Sequence, residues 1–130
     1  MAGSWRAPTN KCDLEAVRGL EGASREDLTA HARELLTWLQ DMNWPVARPM
    51  ATLLARLGSA LEEPVREVIA SDDDIWTLSV ISDLVAESDL DLARALEPEL
   101  RRIAENPSAG ERAEEVDAAA RAVLERLDRV

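Results

Sequence analysis

The 130-residue chain has no tyrosine and no phenylalanine, one cysteine, one histidine, one lysine and five glycines. Each scarcity excludes something. A β-sandwich or barrel needs aromatic and β-branched runs between Gly-rich turns, and the chain has neither. A lone Cys12 cannot close an intrachain disulfide, and one Cys with one His31 cannot build a zinc finger. No apolar run approaches the roughly 20 residues that cross a bilayer. The first residues, Met1-Ala2-Gly3-Ser4-Trp5-Arg6-Ala7-Pro8, lack the apolar stretch of a secretory signal. Phosphate-cradling and dinucleotide-binding glycine patterns are missing too. The expectation is a cytoplasmic protein without a cofactor.

What is present favours helix. Alanine occurs 21 times and leucine 18 times, and 46% of the residues are apolar, which excludes intrinsic disorder. The length fits one domain with a core of its own. Fourteen arginines against one lysine, with so much alanine, point to a GC-rich bacterial genome.

The formal net charge is −11, and it is unevenly placed. Residues 1–58 are balanced. Residues 59–98 hold two basic side chains, Arg66 and Arg94, against eleven acidic ones, for −9, and residues 99–130 add −2. Such a field repels nucleic-acid phosphates and anionic lipid headgroups and attracts basic partners.

Hydrophobic periodicity lays out the helices. Residues 1–11 read as a flexible polar leader, followed by a single all-α domain over 12–130. A short helix is expected over Cys12–Leu20, with Asp13 near its start. Ser24 caps a second helix whose stripe is Leu28, Ala32, Leu35, Leu36 and Leu39. Pro45 biases Trp44 away from helix and suits the first turn of a third helix, which carries Val46, Met50, Leu53, Leu54 and Leu57 and ends at Gly58. A fourth is expected over Leu61–Ala70. A fifth, over Asp74–Ala86, carries Ile75, Trp76, Leu78, Val80, Ile81, Leu84 and Val85 on more than one face. That breadth marks it as the central helix. The sixth, Leu90–Glu105, keeps its phase across Pro98, as one kinked helix or two in line. The last spans Glu111–Leu127.

Short helices with tight turns give an all-α class of stacked antiparallel helix pairs: a short HEAT-like α-solenoid or a compact bundle of about seven helices. In an up-down stack alternate loops share an edge. The Asp41-Met42-Asn43-Trp44-Pro45 loop is therefore expected beside Ser71-Asp72-Asp73-Asp74, with the Asn106–Glu111 loop on the same edge. Asp41, Asn43, Trp44, Asp72, Asp73, Asp74 and Trp76 are the candidate partner-binding residues.

No catalytic constellation accompanies them. His31 lies beside an apolar stripe with no Ser or Cys motif near it and reads as a packing residue. Cys12 reads as a core thiol. The three successive aspartates suit a helix cap better than a metal site, because neighbouring carboxylates at a turn rarely converge on one ion. Trp38 and Trp76 read as core. Trp44 reads either as a lid folded over the second and third helices or as an exposed anchor, and Trp5 as packed or free.

The run Trp38-Leu39-Gln40-Asp41-Met42-Asn43-Trp44-Pro45-Val46-Ala47, the block Asp74-Ile75-Trp76, and a third block carry a resemblance. The third block comprises Leu100-Arg101-Arg102-Ile103, Pro107, Glu111, Glu114-Glu115-Val116-Asp117 and Ala120. In these the chain resembles an uncharacterised bacterial domain-of-unknown-function family, family 5071, of small HEAT-like helical proteins. Where its members often carry Lys and Tyr after the second tryptophan, this chain has Thr77 and Leu78. The resemblance implies a compact helical fold and brings no catalytic residues with it. By analogy, small acidic bacterial proteins of this kind include immunity proteins for toxins. The expected function is a non-catalytic protein-binding module that masks a basic partner, possible toxins included, through an acidic, tryptophan-containing edge. The alternatives are a structural or scaffolding helical domain and a metal-dependent enzyme using the acidic loops.

Overall fold

The computed structural model describes residues 5–129, and all regular structure within them is helical. The expected helices are present, several of them broken in two. In chain order they are α1 (Leu14–Leu20), α2 (Arg25–Ala30), α3 (Ala32–Leu36), α4 (Ala47–Ala55), α5 (Glu62–Ala70), α6 (Asp74–Asp83), α7 (Leu90–Ala95), α8 (Glu97–Glu105), α9 (Ala109–Ala113) and α10 (Val116–Asp128). Turns of 3₁₀ helix at Thr37–Leu39, Gly58–Leu61 and Val85–Glu87 extend or precede them.

Local chemistry sets the starts. The carboxylate of Asp13 accepts from Ala16 N, Ser24 Oγ from Asp27 N, Asp73 from Trp76 N and Asp89 from Leu92 N. Each cap satisfies one of the orphan N–H groups of a first turn. Pro98 sits in the first turn of α8, where its missing N–H costs nothing. Gly58 adopts a left-handed conformation (φ 53°), and a Cβ there would stand 2.5 Å from the Asp89 carboxylate. That position therefore favours glycine.

Packing follows the expected pairing. α3 packs on α4, α5 on α6, and α8 on α10. The second members of these pairs stack in order, α4 on α6 and α6 on α10, while α3 touches α5. α6 thus lies between two neighbours, and its Val80 and Ile81 are fully buried. Leu35, Leu39, Met50, Leu54, Leu61, Leu84, Leu92 and Leu100 join one continuous core. Each buried leucine contributes about 2 kcal/mol relative to exposure.

Arginine ties the layers together. Arg25 donates to the carbonyls of Arg56 and Leu57, Arg66 to that of Ala95, Arg121 to that of Ala104, and Arg126 to those of Ala86 and Ser88. These carbonyls close helices or 3₁₀ turns, where acceptors lack helical partners. Arg25 and Arg126 each reach two carbonyls through the two arms of the planar guanidinium fork.

Two expectations change. The leader is tied down over its described part. The Trp5 indole packs on the core and donates to Asp27 at 3.3 Å, Arg6 pairs with Asp13, and Val46 N donates to Lys11 O. Residues 1–4 of that leader lie outside the described residues. Cys12, expected in the core, is exposed, because α1 starts two residues after it.

Candidate functional site

The Ser71–Asp74 turn joins α5 to α6. Its chain reversal is closed by Val68 O, which accepts from Ser71 N, Ser71 Oγ and the buried Thr77 Oγ1. Asp72 then takes a left-handed conformation (φ 64°), uncommon for a residue with a Cβ. The three aspartates consequently have three different positions. Asp73 caps α6, accepting from Trp76 N at 3.0 Å. Asp74 is half-buried, and its carboxylate occupies the space where a side chain on Gly110 would stand, 2.1 Å from such a Cβ. Asp72 is exposed.

A shallow cleft of about 470 Å³ runs from this turn to α9, between Asp72, Asp73 and Asp74 on one side and Gly110, Ala113 and Glu114 on the other. Ile75 lies at its rim and is 55% exposed. A second cleft, about 350 Å³, lies on the other side of Asp72 and Asp74 and contains Arg66, Arg102, Glu99 and Glu111. The Asn106–Glu111 loop thus lies against the Ser71–Asp74 turn, the neighbour the up-down stack assigns to it.

Both arginines of the second cleft are already bound. Arg66 donates to Glu99 (2.6 Å), Glu63 (2.7 Å) and Glu62 (2.9 Å), and the Glu99 and Glu62 carboxylates raise its guanidinium pKa. Arg102 makes a two-point pair with Glu111, at 2.8 and 2.7 Å. Glu111 is 5% exposed and also accepts from Ser108 N, while Ser108 Oγ accepts from Glu111 N, a complete capping box at the start of α9. The Arg102 guanidinium, with help from Ser108 N, lowers its carboxyl to about 2. Neither arginine neutralises the turn. Among the described residues no ion pair involves Asp72, Asp73, Asp74 or Glu114.

The other expected half of the edge is built differently. Asp41 Oδ1 accepts from Asn43 N at 2.9 Å, and Asp41 O accepts from Trp44 N, closing a local turn. Trp44 is half-buried and meets Trp38 edge-on at a ring separation of 5.9 Å, so of the two readings it takes the lid. Trp76 is half-buried, and its indole N–H donates to Leu36 O at 3.0 Å. It connects the start of α6 to the end of α3, just ahead of the Trp38 turn. Asn43 is exposed. No hydrogen bond or ion pair among the described residues joins Asp41 or Asn43 to Asp72, Asp73 or Asp74. The structure brings Asp72, Asp73 and Asp74 together with Gly110 and Glu114, and places Asp41, Asn43 and Trp44 in a turn of their own.

Ile75 and Glu114 were not among the expected contact residues. Periodicity places Ile75 in an apolar helix, yet as the second residue of α6 it has no preceding helical turn to cover it. His31 stands between α2 and α3, with Nδ1 2.9 Å from Asp27 O and the Trp5 ring edge-on at 4.7 Å. The carbonyl can only accept, so Nδ1 carries the proton and the ring has a packing role. Among the described residues no three His, Cys, Asp or Glu side chains are arranged to hold a metal ion, and no helix is long and apolar enough to cross a membrane.

Fold and cleft together define an all-α domain of stacked helix pairs. The chain belongs to the family described as "Domain of unknown function (DUF5071)", whose profile matches residues 6–124. A comparison with curated proteins finds no match.

Proposed function

We propose that this protein is a non-catalytic binding module that docks a basic protein partner through the cleft between the Ser71–Asp74 turn and α9. One observation carries the reading: among the described residues, carboxylates without an ion-pair partner line the cleft whose rim carries Ile75, the more exposed of two large exposed apolar side chains. Asp72, Asp74 and Glu114 supply the charge and Ile75 the apolar contact. Acidic side chains steer association and select against acidic competitors, while the isoleucine at the rim supplies apolar area for a partner to cover. Trp76 supports this surface from within, and Trp44 covers the neighbouring turn.

The mechanism is steric occlusion, with no bond made or broken. Masking a basic toxin, as an immunity protein does, is one form it takes in a bacterial cytoplasm. The same field opposes nucleic acid and anionic membranes. The test is an amide NMR titration with an amphipathic Arg/Leu-rich peptide and an acidic peptide of equal length. The basic peptide is expected to shift residues 71–75 and 110–114, and the acidic one to leave them unmoved. Shifts spread evenly over every acidic helix face would refute a defined site.

A further inference from the structure

At the far end of α6 from the acidic cleft, a groove of about 550 Å³ runs between α4 and the Val85–Glu87 turn. One side is a ridge formed by α4 and the residue that caps it: Arg48, Thr52 and Arg56, all exposed, at i, i+4 and i+8. The other side carries Asp83 and Glu87, and the floor is Ala51 and Ala55. The charges across it are poorly matched within the chain. Arg48 reaches Asp83 only at 3.5 Å with its side chain 74% exposed, and Arg56 and Glu87 have no ion pair among the described residues. By contrast, Arg66 and Arg102 are fully engaged in their cleft.

We propose that this groove is a two-fold self-association surface, filled by α4 of a second copy of this chain. A basic ridge beside a groove with an acidic far side is its own complement under two-fold rotation. Each ridge enters the other copy's groove, and Arg48 and Arg56 of one copy meet Asp83 and Glu87 of the other. The alanine floor lets the incoming ridge sit close. Two charges of each sign leave this patch neutral, so it adds nothing to the repulsion between two chains of net charge −11. The inference does not depend on the acidic cleft, which lies at the other end of α6.

Sedimentation of the full chain over about a hundredfold range of concentration tests it. A dimer that weakens with added salt is expected. The variants R48E/R56E and D83R/E87R should each dimerise at least about tenfold more weakly, since like charges then face one another. Mixed in equal amounts, they should recover a dimer of wild-type strength, because both sides of one variant are acidic and both sides of the other basic. If D83R/E87R does not fold, the single exchanges R56E and E87R carry the same comparison. A wild type that stays monomeric throughout, a dimer indifferent to the reversals, or a mixture that fails to recover would each overturn the proposal.

Discussion

The Asp41–Pro45 turn and the Ser71–Asp74 turn both join paired helices, and both carry an aspartate three residues before a tryptophan, Asp41 before Trp44 and Asp73 before Trp76. Their aspartates have different uses. In the first turn the single carboxylate is bound locally by Asn43 N, and Trp44 closes the surface against Trp38. In the second, Asp73 alone is used as a cap. Asp72 and Asp74 face a cleft without a counter-charge, beside an uncovered isoleucine. Acidic residues close in sequence to an aromatic ring therefore do not make a docking surface by themselves. What separates the two turns is whether local hydrogen bonds have already engaged the carboxylates.

Substitution can break this contrast at several strengths. Trp76→Ala should have the largest effect. It removes a packed ring and leaves Leu36 O without its donor, costing about 3 kcal/mol in denaturant unfolding. Glu111→Gln comes next, at about 2 kcal/mol, because it weakens both the capping box and the two-point pair with Arg102. Its pH dependence is diagnostic. The folded-state carboxyl lies at about 2, below its ordinary 4.5, so its stabilisation is present above pH 4.5 and lost as pH falls towards 2. The gap in stability between wild type and variant should narrow over that window.

Smaller effects separate the three aspartates. Asp73→Ala removes the cap of α6 and should cost about 1 kcal/mol. Asp72→Gly relieves a left-handed residue and should stabilise by up to about 1 kcal/mol while removing charge from the cleft. Thermal melts of the two variants moving in opposite directions would separate the structural aspartate from the exposed one. Movement in the same direction would mean that Asp72 also holds the turn.

Much of the fold is legible in the sequence, because helix starts are local. Ser24 caps α2 with its own side chain, and the stripes from Leu28 to Leu39 and from Val46 to Leu57 identify the faces that pack. Helix breaks are local only where proline makes them, as at Leu96 just ahead of Pro98, where the sequence already allows two helices in line. The interruptions at His31, Leu84 and Glu115 fall at residues that are neither glycine nor proline. The candidate site is legible only in part. Charge density singles out Asp72–Asp74, whereas the exposure of Ile75 and the approach of Gly110 and Glu114 depend on how α9 is set against α6. Nor does sequence alone distinguish an arginine that ends a helix, such as Arg25, from one that faces solvent.

The most direct test titrates the basic amphipathic peptide calorimetrically into wild type, Asp41→Asn and Asp72→Asn/Asp74→Asn. Asparagine retains the local turn geometry in each case, so the stabilities should stay close. The account predicts unchanged affinity for Asp41→Asn and a loss of at least about tenfold for the double variant. Equal loss in both, or none in either, would contradict a docking surface confined to the second turn.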